Sequence, residues 1–316
     1  MNLIKNVANE IPIFFSTDDN YIPFLDVAIR SLIANASKEY KYRIIILNTG
    51  LCEKSVKTIK QNECEGFAID TLDISREVEK IKSSFKHVYH FTVAAYYRLF
   101  IASLFPKYKK IIYLDCDLVV TGDISELYNV SLGDNIIAAA PEQFVQSTPE
   151  FRSYAEHALG IDPDTYVNSG VLVIDLDKFR QHKICEQFVH LITEYGFDLI
   201  DPDQAYINYL CYDKIHILPN GWNKTPLPTA CIGKKNIVHY ALYKKPWQYD
   251  DVIDGEYFWE YAKSSPFYEE ILRRRASFGE RERAAKEAAA KEIVEHATRI
   301  VRSGSNFACK LKNIAI

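Results

Sequence analysis

Two carboxylates one residue apart, Asp115 and Asp117, follow the apolar run Ile111-Ile112-Tyr113-Leu114 and precede another, Leu118-Val119-Val120. An unpaired buried carboxylate costs several kcal/mol or shifts its pKa, so a strand this apolar should end in paired charges only where a cation binds. Residues two apart in a strand face the same side. Two same-side carboxylates form a hard-oxygen pocket suited to Mn2+ or Mg2+. At a strand end of an α/β protein such a cation would bridge to a diphosphate and act as Lewis acid for its departure. A lone Asp-x-Asp is common in surface turns; the apolar strand before it favours the metal reading.

Four further segments carry residues of the right type. Ser16-Thr17-Asp18-Asp19-Asn20-Tyr21 follows the first apolar strand. An Asp there can accept hydrogen bonds from a base or ribose, and Tyr21 can stack on a flat ring; the plainer alternative is an N-cap cluster. The chain has no GxGxxG and no GxxxxGK[ST], so neither a dinucleotide fingerprint nor a Walker loop holds phosphate. In Tyr166-Val167-Asn168-Ser169-Gly170, Asn168 can bind a hydroxyl-rich ligand and Gly170 permits close backbone approach, or the segment simply begins a strand. In Asp201-Pro202-Asp203-Gln204, Asp203 either caps a helix or faces a sugar, with Gln204 near the reacting carbon. Finally, Ile237-Val238-His239-Tyr240 precedes Lys244-Lys245-Pro246-Trp247. His239 could complete an Asp-Asp-His set and the lysines could neutralise a leaving phosphate, although a lone His is more often structural.

The elements that must position these groups alternate along the chain. Apolar runs at 11–15, 42–47, 67–72, 111–114, 136–140, 170–175, 215–218 and 236–239 predict strands. Residues 21–34, with Ile22, Leu25, Ile29, Leu32 and Ile33 at helical spacing, predict a helix, as do 53–61, 92–104 (stopped by Pro106), 185–195 and 204–210. This β-α-β-α-β rhythm implies a mostly parallel sheet with helices on both faces, whose ligands gather at the strand carboxyl ends. From about Tyr257 the pattern is helical throughout. Residues 1–255 are therefore expected to form the catalytic domain and 256–316 a helical appendage. Its part 269–316 holds 11 basic and 7 acidic side chains, although the whole chain is net −4. Its segment 282–292 (ERAAKEAAAKE) is a strong helix former with Glu-to-Lys pairs at four-residue spacing. Such a helix packs on the domain or on a partner protein, or lies on a membrane surface.

Composition narrows the classes. The net negative charge argues against a nucleic-acid partner. Seven scattered cysteines without a CxxC pair argue against a zinc site or disulfide framework and fit free thiols in a reducing cytosol. MNLIKNVANEIPIFF lacks a signal-peptide core, and no run reaches about 18 apolar residues. The expected location is the cytoplasm, or the periphery of the inner membrane face.

Taken together, the five segments resemble glycosyltransferase family 8, the retaining family that includes bacterial lipooligosaccharide galactosyltransferases and glycogenin. The resemblance runs from about Pro12 to Trp247, in order and spacing. It implies a GT-A fold, Mn2+ (or Mg2+) and a UDP-hexose donor. By the resemblance, Asp18 and Asn20 contact uracil and ribose, and Tyr21 lies against the base. Arg98, in Tyr96-Tyr97-Arg98-Leu99, matches the family's donor-binding arginine. Asp115, Asp117 and His239 ligate the metal; Asn168, Asp203 and Gln204 hold the hexose; Lys245 reaches the diphosphate. Thr17, Cys116 and Ser169 count with the donor site. Leu242 stands where the family often has Gly, and Glu142 where the nearest galactosyltransferases usually have Asp.

The mechanism implied is loss of UDP while the acceptor hydroxyl attacks from the same face. The cation, Arg98, His239 and Lys245 stabilise charge growing on the diphosphate. Gln204 occupies the position of a nucleophile but is a poor one, which favours front-side displacement over double displacement through Asp203. Segments 145–150 and 221–233, rich in turn formers, are expected to close over the site. The acceptor is a saccharide, glycolipid or glycoprotein, and galactose is favoured over glucose. The rivals are a sugar nucleotidyltransferase, disfavoured because TDDNY replaces a Gly-rich basic loop, and a sugar-nucleotide-binding relative that is inactive or only hydrolyses the donor.

Overall fold

The computed structural model of the chain describes residues 9–82, 93–242 and 244–311. Nine strands form within them: β1 (Glu10–Ser16), β2 (Lys41–Asn48), β3 (Phe67–Asp73), β4 (Lys110–Leu114), β5 (Leu118–Val120), β6 (Ile137–Pro141), β7 (Val167–Asp175), β8 (Ile215–Ile217) and β9 (Ile237–His239). Seven make one sheet in the order β3-β2-β1-β4-β7-β6-β8, and β5 pairs with β9 in a small second sheet. Strands β1 to β4 run parallel, and β7 is antiparallel to both its neighbours. Because β1 lies between β2 and β4, the connections diverge there, leaving a crevice at the carboxyl ends of β1 and β4.

Alternation along the strands sorts the core. Phe14, Ile45 and Leu47 belong to one apolar cluster, while Ile13, Phe15, Ile44 and Ile46 belong to another on the opposite face. A sheet greasy on both faces is what a parallel arrangement under helices requires. Helix Ile22–Asn35 supplies Ile22, Leu25, Ile29 and Leu32 to one of these layers.

Three expectations need correction. Residues 93–104 are not one α-helix: Val93–Phe100 winds as a 3-10 helix and only Ile101–Leu104 is α-helical, while Thr92 lies outside the described residues. Side chains three apart eclipse in a 3-10 helix, and the Ala95 carbonyl is there for Arg98 Nε to donate to at 2.9 Å. Segment 145–150 is not a loop. It falls in helices Gln143–Ser147 and Pro149–Ser153, the first capped by the Glu142 carboxylate at Phe144 N–H (3.0 Å), the second opened by Pro149. Its turn-forming residues mark a helix junction. Asp115 and Asp117, lastly, lie in the bend between β4 and β5, outside any strand, so strand alternation is not what brings them together.

The C-terminal residues form helices Gly255–Ala262, Tyr268–Ser277, Glu280–Arg302 and Phe307–Lys310. They share cores with the sheet-bearing part: Phe258, Ala262 and Ile271 pack with Phe24, Val119, Val238 and Trp247, and Ala297, Ile300 and Phe307 join one main cluster. No helix among the described residues is long and apolar enough to cross a membrane.

Candidate active site

The switch from β4 to β5 builds the centre of the site. After β4 the chain bends at Asp115–Asp117 and leaves the main sheet, and β5 pairs antiparallel with β9 in a register that sets Leu118 opposite His239. Tyr240 N–H donates to the Asp117 carbonyl at 2.9 Å. This pairing brings a histidine 122 residues away against the carboxylates. His239 Nε2 stands 3.2 Å from Asp117 Oδ1 and 3.8 Å from Asp115 Oδ2. One ligand atom from each of the three lies within 4.8 Å of the others.

The surroundings fix each donor. His239 Nδ1 lies 2.8 Å from Asn223 Oδ1, an acceptor, so Nδ1 carries a proton and Nε2 is the ring atom that faces the carboxylates. Asn223 Nδ2 in turn donates to Asn168 Oδ1 (2.8 Å), and Asn168 Nδ2 donates to buried Glu142. Asp115 Oδ1 accepts from Arg98 Nη2 (2.8 Å) and Tyr113 Oη (3.1 Å), leaving Oδ2 toward His239. Asp117 Oδ2 is paired with buried Lys245, whose ammonium also donates to the Tyr240 carbonyl. Burial would raise the Asp117 pKa, but Lys245 and His239 outweigh it and hold the carboxyl below its usual range.

Arg98 is the organiser on the side of Ser169 and Asp203. It is 4% exposed, sits 4.3 Å over the Tyr113 ring, and reaches Asp203 (3.4 Å) and Ser169 Oγ (3.1 Å) as well as Asp115. Ser169 Oγ donates to Asp203 Oδ2 at 2.9 Å, and Ser169 N–H to Gln204 Oε1 at 3.0 Å. Arg98, Asp115, Asp117, Asn168, Ser169, Asp203, Gln204, His239 and Lys245 are thus one connected set.

The segment after β1 is partly self-satisfied. Asp18 Oδ1 accepts from Asn20 N–H (2.9 Å) and Tyr21 N–H (3.1 Å), so it does serve the turn into the first helix. Thr17 is buried and donates to the Asp18 carbonyl. Tyr21 is more than a third exposed, and its hydroxyl feels the charges of Lys245 and Asp117. The Cys116 thiol turns inward to the Ser16 carbonyl (3.1 Å), and burial pushes its pKa well up. Leu242 adopts φ +61°, the left-handed region that favours glycine, so this chain keeps with a leucine the backbone that a Gly would take easily.

Sequence reasoning missed three features. Asn223 orients His239, yet in Asn220-Gly221-Trp222-Asn223 it reads as an ordinary turn. Arg274, from helix Tyr268–Ser277, donates to the Asn20 carbonyl at 2.6 Å and, with Phe278, lines a cavity of ≈ 190 Å³ beside Tyr21, Phe24 and Trp247. Asp201 is a buried carboxyl accepting from Tyr166 Oη (2.6 Å), Gln204 Nε2 (2.8 Å) and Tyr154 Oη (3.1 Å), which fixes the Gln204 amide. Burial pushes Asp201 up to about 7 from 3.8, against those three donors. Between these values the folded protein holds a proton that the unfolded chain has released, so this group lowers stability as pH rises through the window. Asp201→Asn cannot ionise. Its melting temperature is expected to match the parent only at or below about pH 4 and to exceed it by a margin that grows up to about pH 7 and then levels off; parallel melting profiles across that range would contradict this.

The sequence model of glycosyl transferase family 8 matches residues 12–251. The chain belongs to glycosyltransferase family 8. General stress protein A of Bacillus subtilis is 28% identical over 253 residues, covering 73% of this chain and 85% of that protein. A putative glycosyltransferase of Haemophilus influenzae is 26% identical over 244 residues, covering 74% and 72%. Among solved structures, the galactosyltransferase LgtC in complex with donor and acceptor sugar analogs superposes with TM-score 0.69 at 24% identity, over 81% of this chain and 96% of that one. The bifunctional glycosyltransferase WbbM superposes with TM-score 0.76, also at 24% identity, over 87% of this chain but only 53% of its own length. At that identity the superpositions establish the fold: this family 8 glycosyltransferase has the GT-A architecture, a mainly parallel sheet flanked by helices with a long helix near its C-terminus.

Proposed function

We propose that this chain is a retaining hexosyltransferase that uses a UDP-sugar, with galactose favoured over glucose, a divalent cation, and a saccharide, glycolipid or glycoprotein acceptor. The observation that carries the reading is the convergence of one ligand atom each from Asp115, Asp117 and His239 within 4.8 Å of one another. Two carboxylates and an imidazole suit Mn2+ or Mg2+. Bound there, the cation would supply Lewis-acid stabilisation of a departing diphosphate. Lys245 adds a fixed positive charge beside it, held in a buried ion pair. Asp18, Asn20 and Tyr21 would receive the nucleoside, with Thr17 and the Cys116 backbone beside them.

Asn168, Ser169, Asp203 and Gln204 would bind the transferred sugar on the other side of the cation. Asp203 is already engaged by Arg98 and Ser169, a poor state for a nucleophile, and Gln204 is fixed by Asp201 and Ser169 N–H. These contacts favour front-side displacement, with the departing phosphate accepting the acceptor's proton. Residues 1–255 would form the catalytic unit and 256–316 its helical extension, and the protein would act in the cytoplasm or at the inner membrane face.

Gly170 offers a local check of the metal reading. A Cβ there would stand 2.3 Å from His239 Cε1 and 2.6 Å from Asp115 Oδ2, while the Gly170 backbone is tied to Asp115 N–H and Asn168 Oδ1. Gly170→Ala should displace a ligand and weaken Mn2+ binding about 10–100-fold, the usual penalty for disturbing ligand orientation. Calorimetric titration of Mn2+ measures this, with circular dichroism as the fold control; unchanged affinity would count against the three-ligand site.

The function itself is tested by screening UDP-Gal, UDP-Glc and UDP-GlcNAc for UDP release with Mn2+ and with EDTA, then adding acceptor saccharides. One UDP-hexose is expected to give EDTA-sensitive release that an acceptor accelerates. Release insensitive to EDTA, or none from any donor, would overturn the proposal.

A further inference from the structure

Helix Tyr268–Ser277 reaches the turn after β1 from the other end of the chain. Its place is fixed by Ile271, which is fully buried in one apolar cluster with Phe24, Val27 and Trp247. Arg274 stands three residues on and so shares that inward face. Its guanidinium lies 5.5 Å from the Phe24 ring centroid, and Phe24 stacks on Trp247 with the centroids 3.8 Å and the planes 15° apart. Phe24 also meets Tyr21 edge to face at 5.6 Å. One guanidinium nitrogen of Arg274 pairs with Glu270, one turn earlier, and the other donates to the Asn20 carbonyl at 2.6 Å. The carboxylate orients the planar fork, which aims its second arm at the turn.

Asp19, Asn20 and Tyr21 are all exposed, so burial does little to hold the turn they form. Hydrogen bonds hold it instead. From within, Asp18 Oδ1 accepts from the Asn20 and Tyr21 N–H groups. From elsewhere in the chain, Cys52 N–H donates to the Asp19 carboxylate at 3.2 Å, and Arg274 takes the Asn20 carbonyl. The same parts wall the cavity of ≈ 190 Å³: the turn gives Asn20 and Tyr21, the segment after Lys245 gives Trp247 and Gln248, and the C-terminal part gives Arg274 and Phe278. Aromatic rings beside a fixed guanidinium suit a flat heterocycle. Ordering one backbone residue costs about 1–2 kcal/mol, so a turn pinned beforehand loses less freedom when a ligand docks on it.

We propose that Arg274 is a positioning residue for the nucleoside of the donor. It pins the Asn20–Tyr21 turn in the conformation that receives the base, acting through the Asn20 carbonyl and the Phe24 ring. The assignment rests on the nucleotide-sugar donor reading above. It makes the helical extension part of the donor site at the base end, with no share in holding the cation or the diphosphate. Loss of Arg274 should therefore weaken every ligand that carries the nucleoside by a common factor, and leave a ligand without one untouched.

The test is calorimetric binding of UDP, UMP, Mn2+ alone and inorganic pyrophosphate with Mn2+, using the full chain as wild type, Arg274→Met, Arg274→Lys and Arg273→Ala. Arg273 is exposed on the same helix and serves as the charge control. Methionine keeps an unbranched chain against Phe24 and removes the donor, which separates the tie from the packing. UDP and UMP are each expected to bind about tenfold more weakly to Arg274→Met, as for loss of one hydrogen bond from a charged group. Mn2+ and pyrophosphate should bind as to the wild type. Arg274→Lys, which keeps a charged donor, should recover part of the loss, and Arg273→Ala should match the wild type. A purely structural role would lower the melting temperature and weaken all four ligands together. Unchanged UDP and UMP affinity in Arg274→Met, an equal loss for the ligands without a nucleoside, or an equal loss in Arg273→Ala overturns the assignment while leaving the donor reading in place. Failure of the wild type to bind UDP at all overturns both.

Discussion

Asp117→Asn is expected to lower divalent-dependent donor turnover by on the order of 10²–10³-fold, the range seen when a group stabilising transition-state charge is removed. Asparagine keeps the shape and an acceptor for Lys245 but removes the charge. The native carboxyl is held ionised by Lys245 and His239 although it is largely buried, so its charge is available to a cation at every working pH. The same depression makes a stability contribution that is present above the ordinary carboxylate pKa of 3.8 and is lost as pH falls towards the lower folded value. Losing the charge also leaves Lys245 buried beside a neutral group, so the variant should be less stable while still folding. UDP release with and without Mn2+, set beside circular dichroism, separates the two effects. Wild-type turnover in a folded Asp117→Asn protein would remove Asp117 from the metal site.

Arg98→Met should produce the largest loss of stability. Arg98 lies between Asp115 and Asp203 and fills its remaining donors with Ser169 and Ala95. Methionine fills much of the volume but leaves the Asp203 carboxylate, 9% exposed, without its cation. Breaking such a buried network by removing one partner costs about 3–5 kcal/mol. In a chain of this size that is a fall of roughly 10 °C in melting temperature. Arg98→Lys should recover only part, because an ammonium cannot span two carboxylates and a serine as a planar fork does. Thermal unfolding of the three proteins checks this; a drop of a degree or two in Arg98→Met would mean the arginine does not hold the carboxylates.

Much of the site was legible because its residues lie at the ends of short apolar strands, where side-chain type and strand context coincide. The Asp115–Asp117 pair, the Asp18–Tyr21 turn and His239 before Lys245 all follow this pattern. The alternation of apolar runs likewise gave the parallel half of the sheet, β1 to β4, to within a residue at most ends. What stayed hidden depends on long-range pairing. The reversal of β7 and the β5–β9 ladder carry no local signal, yet the ladder is what sets His239 beside Asp117. Asn223 and Asp201 have no motif; each matters for the atoms it faces across the fold. The 3-10 winding of Val93–Phe100 and the helices Gln143–Ser147 and Pro149–Ser153 also differ from the expected elements, and Glu142 caps the first of those two helices.

The most direct measurement is calorimetric binding of UDP to the wild-type protein in Mn2+ and again in EDTA. If Asp115, Asp117 and His239 hold the cation that meets the diphosphate, UDP should bind at least about tenfold more weakly once the metal is removed. Equal UDP affinity in Mn2+ and in EDTA would contradict the metal–diphosphate site.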